Sequence, residues 1–216
     1  MNLWMYLKGH LQLEQIFVLA TRNKGKKLEL ADLLKKFPVT VKNLDDFGPI
    51  PEVEEDGDTF DKNAYKKSST TARILGLPAI ADDSGLVVDA LDGAPGVMSA
   101  RYAGKDATDR ENLEKVLSDM KGKNNRKAFF QCVISIAVPR GAALTYEGCC
   151  RGEITEKPDG ESGFGYDPIF FCPEYGKTFG RMTMDEKNMV SHRGRALAEV
   201  VDEFDKILKW VEIHHP

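Results

Sequence analysis

Cysteine is scarce in this chain and forms no pattern where it occurs. The four cysteines, Cys132, Cys149, Cys150 and Cys172, include no C-x-x-C pair, and adjacent Cys149-Cys150 would strain to bridge each other. That gives no support to a disulfide scaffold or a cysteine-built zinc site, and reduced thiols in a cytoplasm are the expected state. H-E-x-x-H, G-x-S-x-G and the Walker spacing G-x-x-x-x-G-K-[ST] are also missing. Zinc-hydrolase, serine-hydrolase and P-loop chemistry have no support without them. No run approaches the roughly 18 apolar residues of a membrane span. A net charge of -4 offers no field for nucleic acid or an anionic membrane, so an anionic ligand needs local cations or a metal.

What is present is ordinary for a soluble globular protein: 42% hydrophobic and 30% charged residues, with no repeat, low-complexity tract or composition break. A length of 216 residues suits one substantial α/β domain, expected over residues 16–213. Residues 1–15, MNLWMYLKGHLQLEQ, lack an apolar h-region and a cleavage site and read as an extension, not a signal peptide. IFVLA (16–20) is expected as a strand, residues 23–37 as a helix, and VTVKN (39–43) as a second strand. An acidic loop over 45–58 follows, then a helix from Thr59 to about Leu75 ended by Gly76 and Pro78. At Asp82-Asp83-Ser84-Gly85 the residue types read as a strand end and an acidic turn. Thr108 and Glu111 have the spacing of a capping box, and KAFFQCVISIAV with ALTYEGCCRGEI reads as a hairpin. A second capping box at Thr183 and Glu186 precedes one final helix from about Gly194 to Trp210.

Four stretches carry chemistry. In ATRNKGK (20–26) a strand feeds a helix, so free helix N–H groups, with Thr21, Asn23, Lys24 and Lys26, can cradle a phosphate. A plain helix cap with solvated lysines explains that turn equally well. Asp83 with Glu54 or Glu55 from the acidic loop suits magnesium, which is usually held by one or two carboxylates plus phosphates, while an aspartate can take a water's proton. A solvated acidic surface is the commoner fate of such runs, and an aspartyl phosphotransferase would use D-x-D after an early strand. GFGYDPIFF (163–171) sets Phe164 and Tyr166 between glycines, where one ring can stack on a base. EKNMVSHRGRAL (186–197) gathers Lys187, Ser191, His192, Arg193 and Arg195 at a helix entrance, where the macrodipole disfavours cations; that misfit favours a ligand.

Taken in order, ATRNKGK, EEDGDTFDKNA, LPAIADDSGL, GAPGVMSARYAG, GFGYDPIFF and EKNMVSHRGRAL closely resemble the inosine triphosphate pyrophosphatase family, the non-standard purine nucleoside triphosphate pyrophosphatases. The likeness runs from about Ile16 to Val211. It implies an elongated mixed β-sheet with flanking helices, an α/β fold whose two lobes surround a central nucleotide cleft. It also implies Mg2+-dependent hydrolysis of ITP, dITP and XTP to the monophosphate and pyrophosphate, by a cytoplasmic homodimer with no nucleic-acid or membrane partner. By resemblance, Thr21, Arg22, Asn23, Lys24, Gly25 and Lys26 hold the triphosphate, with Lys67 near the phosphates. Glu55 and Asp83 are the magnesium positions, Asp83 is also the general base, Asp82 supports it and Ser84 contacts substrate. Phe164, Gly165, Tyr166, Asp167, Lys187, His192 and Arg193 match nucleotide-binding positions. Where the family turn often has Gly, this chain has Arg22. Two alternatives remain beside this reading: a nucleotide-binding module without catalysis, and a hydrolase of modified pyrimidine triphosphates.

Overall fold

The first apolar run becomes β1 (Gln15–Leu19), which lies parallel to β2 (Val39–Asn43) on one side and to the start of β3 (Ala79–Val88) on the other. The structure, a computed structural model, describes residues 14–215; almost all of the expected extension, residues 1–13, lies outside them. Between these parallel strands run the crossover helices α1 (Lys24–Leu34) and α2 (Phe60–Leu75). The alternation of strand and helix thus yields the parallel half of the sheet.

The second half is antiparallel. β4 (Lys127–Ala137) pairs with β3 over its whole length, β5 (Ala143–Ile154) returns as the expected hairpin, and short β6 (Phe170–Cys172) and β7 (Lys177–Thr178) finish the sheet. The seven strands lie in the order β2-β1-β3-β4-β5-β6-β7. α3 (Asp109–Asp119) opens on the Thr108–Glu111 capping box, and α4 (Met184–Val190) on the Thr183–Glu186 box. α5 (His192–Asp202) and α6 (Phe204–His214) close the described chain.

Two large clusters and two smaller ones pack against the sheet. Phe17, Leu30, Leu34, Ile80, Ile134, Leu197 and Phe204 pack one large cluster between the sheet and α1, α5 and α6. Leu86, Val116, Met120, Phe130, Ile154 and Phe170 pack the other large cluster beneath α3 and the irregular segments. The expected α/β fold, a mixed β-sheet with flanking helices, is therefore the one observed. Among the described residues no helix is long and apolar enough to cross a membrane.

Two readings are corrected. β3 does not end at Asp82; the acid pair lies inside a strand that continues to Val88. The last helix is two, broken at Glu203 (φ -98, ψ 4), and it begins at His192 instead of Gly194.

Candidate active site

β1 stops at Leu19 while its neighbour β3 runs on, so beyond Ile80 one edge of β3 has no partner strand. Into this gap comes the turn at 20–23. Ala20 N–H donates to the Ile80 carbonyl at 2.8 Å, and Asn23 caps α1 by accepting from Lys26 N–H at 3.1 Å. The free N–H groups of α1 therefore stand beside Asp82, at the carboxyl end of a parallel strand, the usual ligand position in α/β sheets.

Strand pleating sends Asp82 and Asp83 to opposite faces. Asp82 meets Lys26 Nζ of α1 and Arg193 Nη1 of α5, each at 2.7 Å from Oδ2. Burial alone would push its carboxyl up, but the Arg193 and Lys26 charges outweigh this and hold it well below the usual carboxylate range. Arg193 also pairs with Glu29 at 3.1 Å. Asp83 meets α2 instead, with Oδ1 at 3.7 Å from Lys67 Nζ. Lys67 Nζ donates to Glu55 Oε1 and to the Asp82 carbonyl, both at 2.7 Å. Burial raises the Asp83 carboxyl above its ordinary value; Lys67 and the neighbouring Asn63 side chain oppose that, and Glu55 adds to it.

At the other end, α5 approaches the sheet closely because β5 has Gly148 there: a methyl group would stand 2.0 Å from the His192 carbonyl. His192 then stacks on Phe130, rings 4.7 Å apart and 11° from parallel. Burial, reinforced by Lys187 and Arg193, lowers its imidazole to about 3, so it is neutral. Lys187 bonds the buried Asp167 carboxylate and lies under the Phe164 ring, 4.4 Å from its centroid. Asp167 Oδ2 also accepts from Phe164 N–H at 2.9 Å. Gly163 is required there, since a Cβ would stand 1.9 Å from that oxygen at a backbone φ of +81. Phe164 as a residue is 72% exposed.

Three adjoining cavities join these ends. One of about 380 Å³ is walled by Thr21, Arg22, Lys26, Glu55, Lys67 and Asp82. A second of about 370 Å³ shares Lys26 with it and is walled by Asn23, Gly25, Lys187, His192 and Arg193. The third, about 180 Å³, shares Phe164, Lys187 and His192 with the second and adds Ser84, Gly165, Tyr166 and Asp167. Asp83 Oδ2, Ser84 Oγ and His192 Nδ1 are buried without a hydrogen-bond partner among the described residues. Such atoms cost free energy unless a ligand meets them.

Not every sequence expectation reaches the trough. Lys24 is exposed and lines none of these cavities. Arg22 lines the first but donates to Asp45 at 2.8 Å and to the Ile50 carbonyl at 3.1 Å. Tyr166 is buried, its hydroxyl donating to the Ser99 carbonyl at 2.8 Å, so of the two aromatics only Phe164 offers a face. Glu54 is exposed and Glu55 turns inward. The supposed single cationic helix entrance is two helix ends: Lys187 lies in the last turn of α4, where a cation is favoured, and Ser191 caps α5. Arg195 pairs with Glu174 at the surface, 2.8 Å away.

Arg101 and Asp109 went unnoticed in the sequence. Arg101 Nη2 donates to the Glu55 carbonyl at 2.8 Å; Asp109 Oδ2 accepts from Gly165 N–H at 2.9 Å. Arg101 lies in the quoted GAPGVMSARYAG stretch and Asp109 looked like an ordinary first-turn acid.

No group of three or more metal-ligating side chains occurs among the described residues. A hard cation held against phosphates needs only one or two carboxylates, and Glu55 with Asp83, whose Oδ2 is buried and unpartnered, fits that requirement.

An open mixed sheet with a trough at the end of β1, cationic and acidic at one end and aromatic at the other, defines an α/β protein built to take a ligand with both anionic groups and a flat ring. The chain belongs to the Ham1 family, whose model matches residues 17–203. The dITP/XTP pyrophosphatase of Syntrophobacter fumaroxidans is 61% identical over 91% of this chain and 84% of its own length. That of Desulfotalea psychrophila is 58% identical over 91% and 88%. A HAM1 protein structure from Coxiella burnetii superposes with a TM-score of 0.86 at 41% identity, covering 89% of this chain and 99% of that one.

Proposed function

We propose that this chain is a magnesium-dependent nucleoside triphosphate pyrophosphatase that hydrolyses ITP, dITP and XTP to the monophosphate and pyrophosphate. Residues 16–213 form its catalytic domain, and the working protein is a cytoplasmic homodimer. One observation carries the reading of the site: the buried Asp83 carboxylate lies against Lys67, which with Glu55 walls the first of three adjoining cavities that end at Phe164, Lys187 and His192. The names of the relatives support the substrate class.

In this reading the phosphates lie against the N–H groups of α1, with Thr21, Asn23, Gly25 and Lys26 around them and Lys67 opposite. Glu55 and Asp83 would hold the divalent ion, which when bound would neutralise phosphate charge and help orient a water. Asp83 is the carboxylate placed to take a proton from the attacking water. Asp82 does not exchange protons; it fixes the positions of Lys26 and Arg193.

Phe164 stacks on the base, and donors from Lys187, His192 and the α5 entrance meet its 6-oxo group. Adenine presents a 6-amino donor at that position, leaving such donors unpaired at about 1–3 kcal/mol each. Ser84 Oγ is the further group available to the substrate. Pyrophosphate release from ITP, dITP, XTP, GTP, ATP, UTP and TTP under magnesium tests the reading. Release chiefly from the first three is expected. No release from ITP or XTP would overturn it, and preference for UTP or TTP would favour the pyrimidine alternative.

A further inference from the structure

Lys67 stands in the seat that a cation would take. Its Nζ donates to Glu55 Oε1 and to the Asp82 carbonyl, each at 2.7 Å, and lies 3.7 Å from Asp83 Oδ1. The lysine projects from α2, a helix capped by Thr59 and anchored through buried Phe60, Ala64, Ser68 and Ala72. Glu55 is fixed independently of it: Arg101 holds its carbonyl at 2.8 Å, and Gly57 N–H donates to Asn63 Oδ1 at 2.8 Å. The backbone that carries Glu55 therefore does not depend on the ammonium.

We propose that Lys67 is the resident counter-ion of Glu55 and Asp83 in the nucleotide-free protein, excluding the divalent ion until the phosphates of an incoming nucleotide draw the lysine away. The inference rests on the reading of Glu55 and Asp83 as the metal carboxylates. An ammonium at 2.7 Å and a magnesium ion at about 2.1 Å from an oxygen compete for the same lone pairs. Even where the metal takes the second oxygen of each carboxylate, a unit charge roughly 4 Å from a dication weakens its binding by tenfold or more at the dielectric of water. Lysine suits the task because its flexible stem carries three donors that phosphate oxygens can satisfy as well as carboxylates do.

Metal and nucleotide then bind with positive coupling. By reciprocity each tightens the other, and the coupling passes through one side chain. Removing the charge of Lys67 should therefore raise metal affinity in the absence of nucleotide, whereas a lysine that merely organised the site would lower it when lost.

The test is a titration of the nucleotide-free protein with Mn2+, followed by electron paramagnetic resonance, on wild type, Lys67→Met, Lys67→Arg and the double variant Lys67→Met/Asp83→Asn. Expected is an affinity roughly tenfold or more tighter in Lys67→Met, near wild type in Lys67→Arg, and lost again in the double variant. Equal or weaker binding in Lys67→Met, or a gain that survives Asp83→Asn, overturns the proposal. Thermal melts establish folding, and Lys67→Gln is read the same way if Lys67→Met does not fold. Wild type that releases no pyrophosphate from ITP defeats the functional reading itself. Wild type that does so, with no gain in Lys67→Met, defeats only the lysine proposal.

Discussion

Asp82 and Asp83 are neighbours in the chain but stand on opposite faces of the sheet. Asp82 is locked between Lys26 and Arg193 at 2.7 Å each, whereas Asp83 faces Lys67 at 3.7 Å with its second oxygen unpartnered. Two carboxylates in tandem thus do different work, and the same substitution should separate them. Asp83→Asn removes a charge that burial already disfavours, so the fold should hold while kcat falls by roughly 10²–10⁴. Asp82→Asn leaves two cations without their shared buried partner and should cost on the order of 3–5 kcal/mol of stability. Urea unfolding beside initial rates checks both. Near-normal turnover in Asp83→Asn would remove it from the reaction.

A single truncation of Lys187 cannot separate its pairing with Asp167 from the base contact proposed for it. It is buried against Asp167 and lies under Phe164, so Lys187→Ala should raise KM for ITP and also destabilise the protein, by roughly 3–5 kcal/mol, by stranding a buried carboxylate. Pairing Lys187→Met with Asp167→Asn removes both charges and should recover most of the stability without recovering KM. Recovery of both would make Lys187 a structural residue.

His192 ties stability to pH. Its folded-state value, depressed by burial to about 3, lies below its ordinary 6.5. Between those values the unfolded chain binds a proton that the folded chain does not, so this contribution is complete above pH 6.5 and is lost as pH falls towards 3. The expected slope is about 1.4 kcal/mol per pH unit. On moving from pH 7 to pH 5, His192→Gln should lose roughly 2 kcal/mol less than wild type in denaturant unfolding. Parallel losses would mean that the ring becomes protonated within the fold.

Much of the architecture was legible because local signals agreed with the fold. Val39–Asn43 alternates and is β2; Thr59 and Gly76 bracket α2; both capping boxes open helices. The acid pair misled because Asp, Ser and Gly are turn formers, while here ten residues of ladder with β4 impose the strand over local preference. The break at Glu203 was hidden for a different reason: apolar spacing continues across it, from Val200 to Phe204 and Ile207 into one core. At the site, residue types announced donors and acids, but pairing did not. Nothing in the sequence shows that Arg22 is engaged by Asp45 or that Arg101 reaches Glu55, since such contacts link segments distant in the chain.

Asp109 shows the same limit and gives a further prediction. As the first residue of α3 it is fixed by the Thr108–Glu111 cap, and from there it accepts Gly165 N–H at 2.9 Å. On the other side of Phe164, Asp167 accepts the Phe164 N–H at 2.9 Å. Two carboxylates from different elements therefore hold consecutive amides, and the exposed Phe164 ring, which has little packing to steady it, depends on them for its orientation. Asp109→Ala should leave Asp167 as the one carboxylate holding these amides and raise KM for ITP by roughly three- to tenfold, the scale of one exposed charge-assisted hydrogen bond, with kcat little changed. Asp109→Asn keeps an acceptor and should restore most of the loss. Calorimetry locates the effect: binding of the monophosphate product should weaken in Asp109→Ala while binding of inorganic pyrophosphate stays unchanged, because the carboxylate steadies the ring end of the trough and touches nothing at the phosphate end. Equal weakening of both ligands would mean that Asp109 supports the whole cleft instead of its aromatic loop.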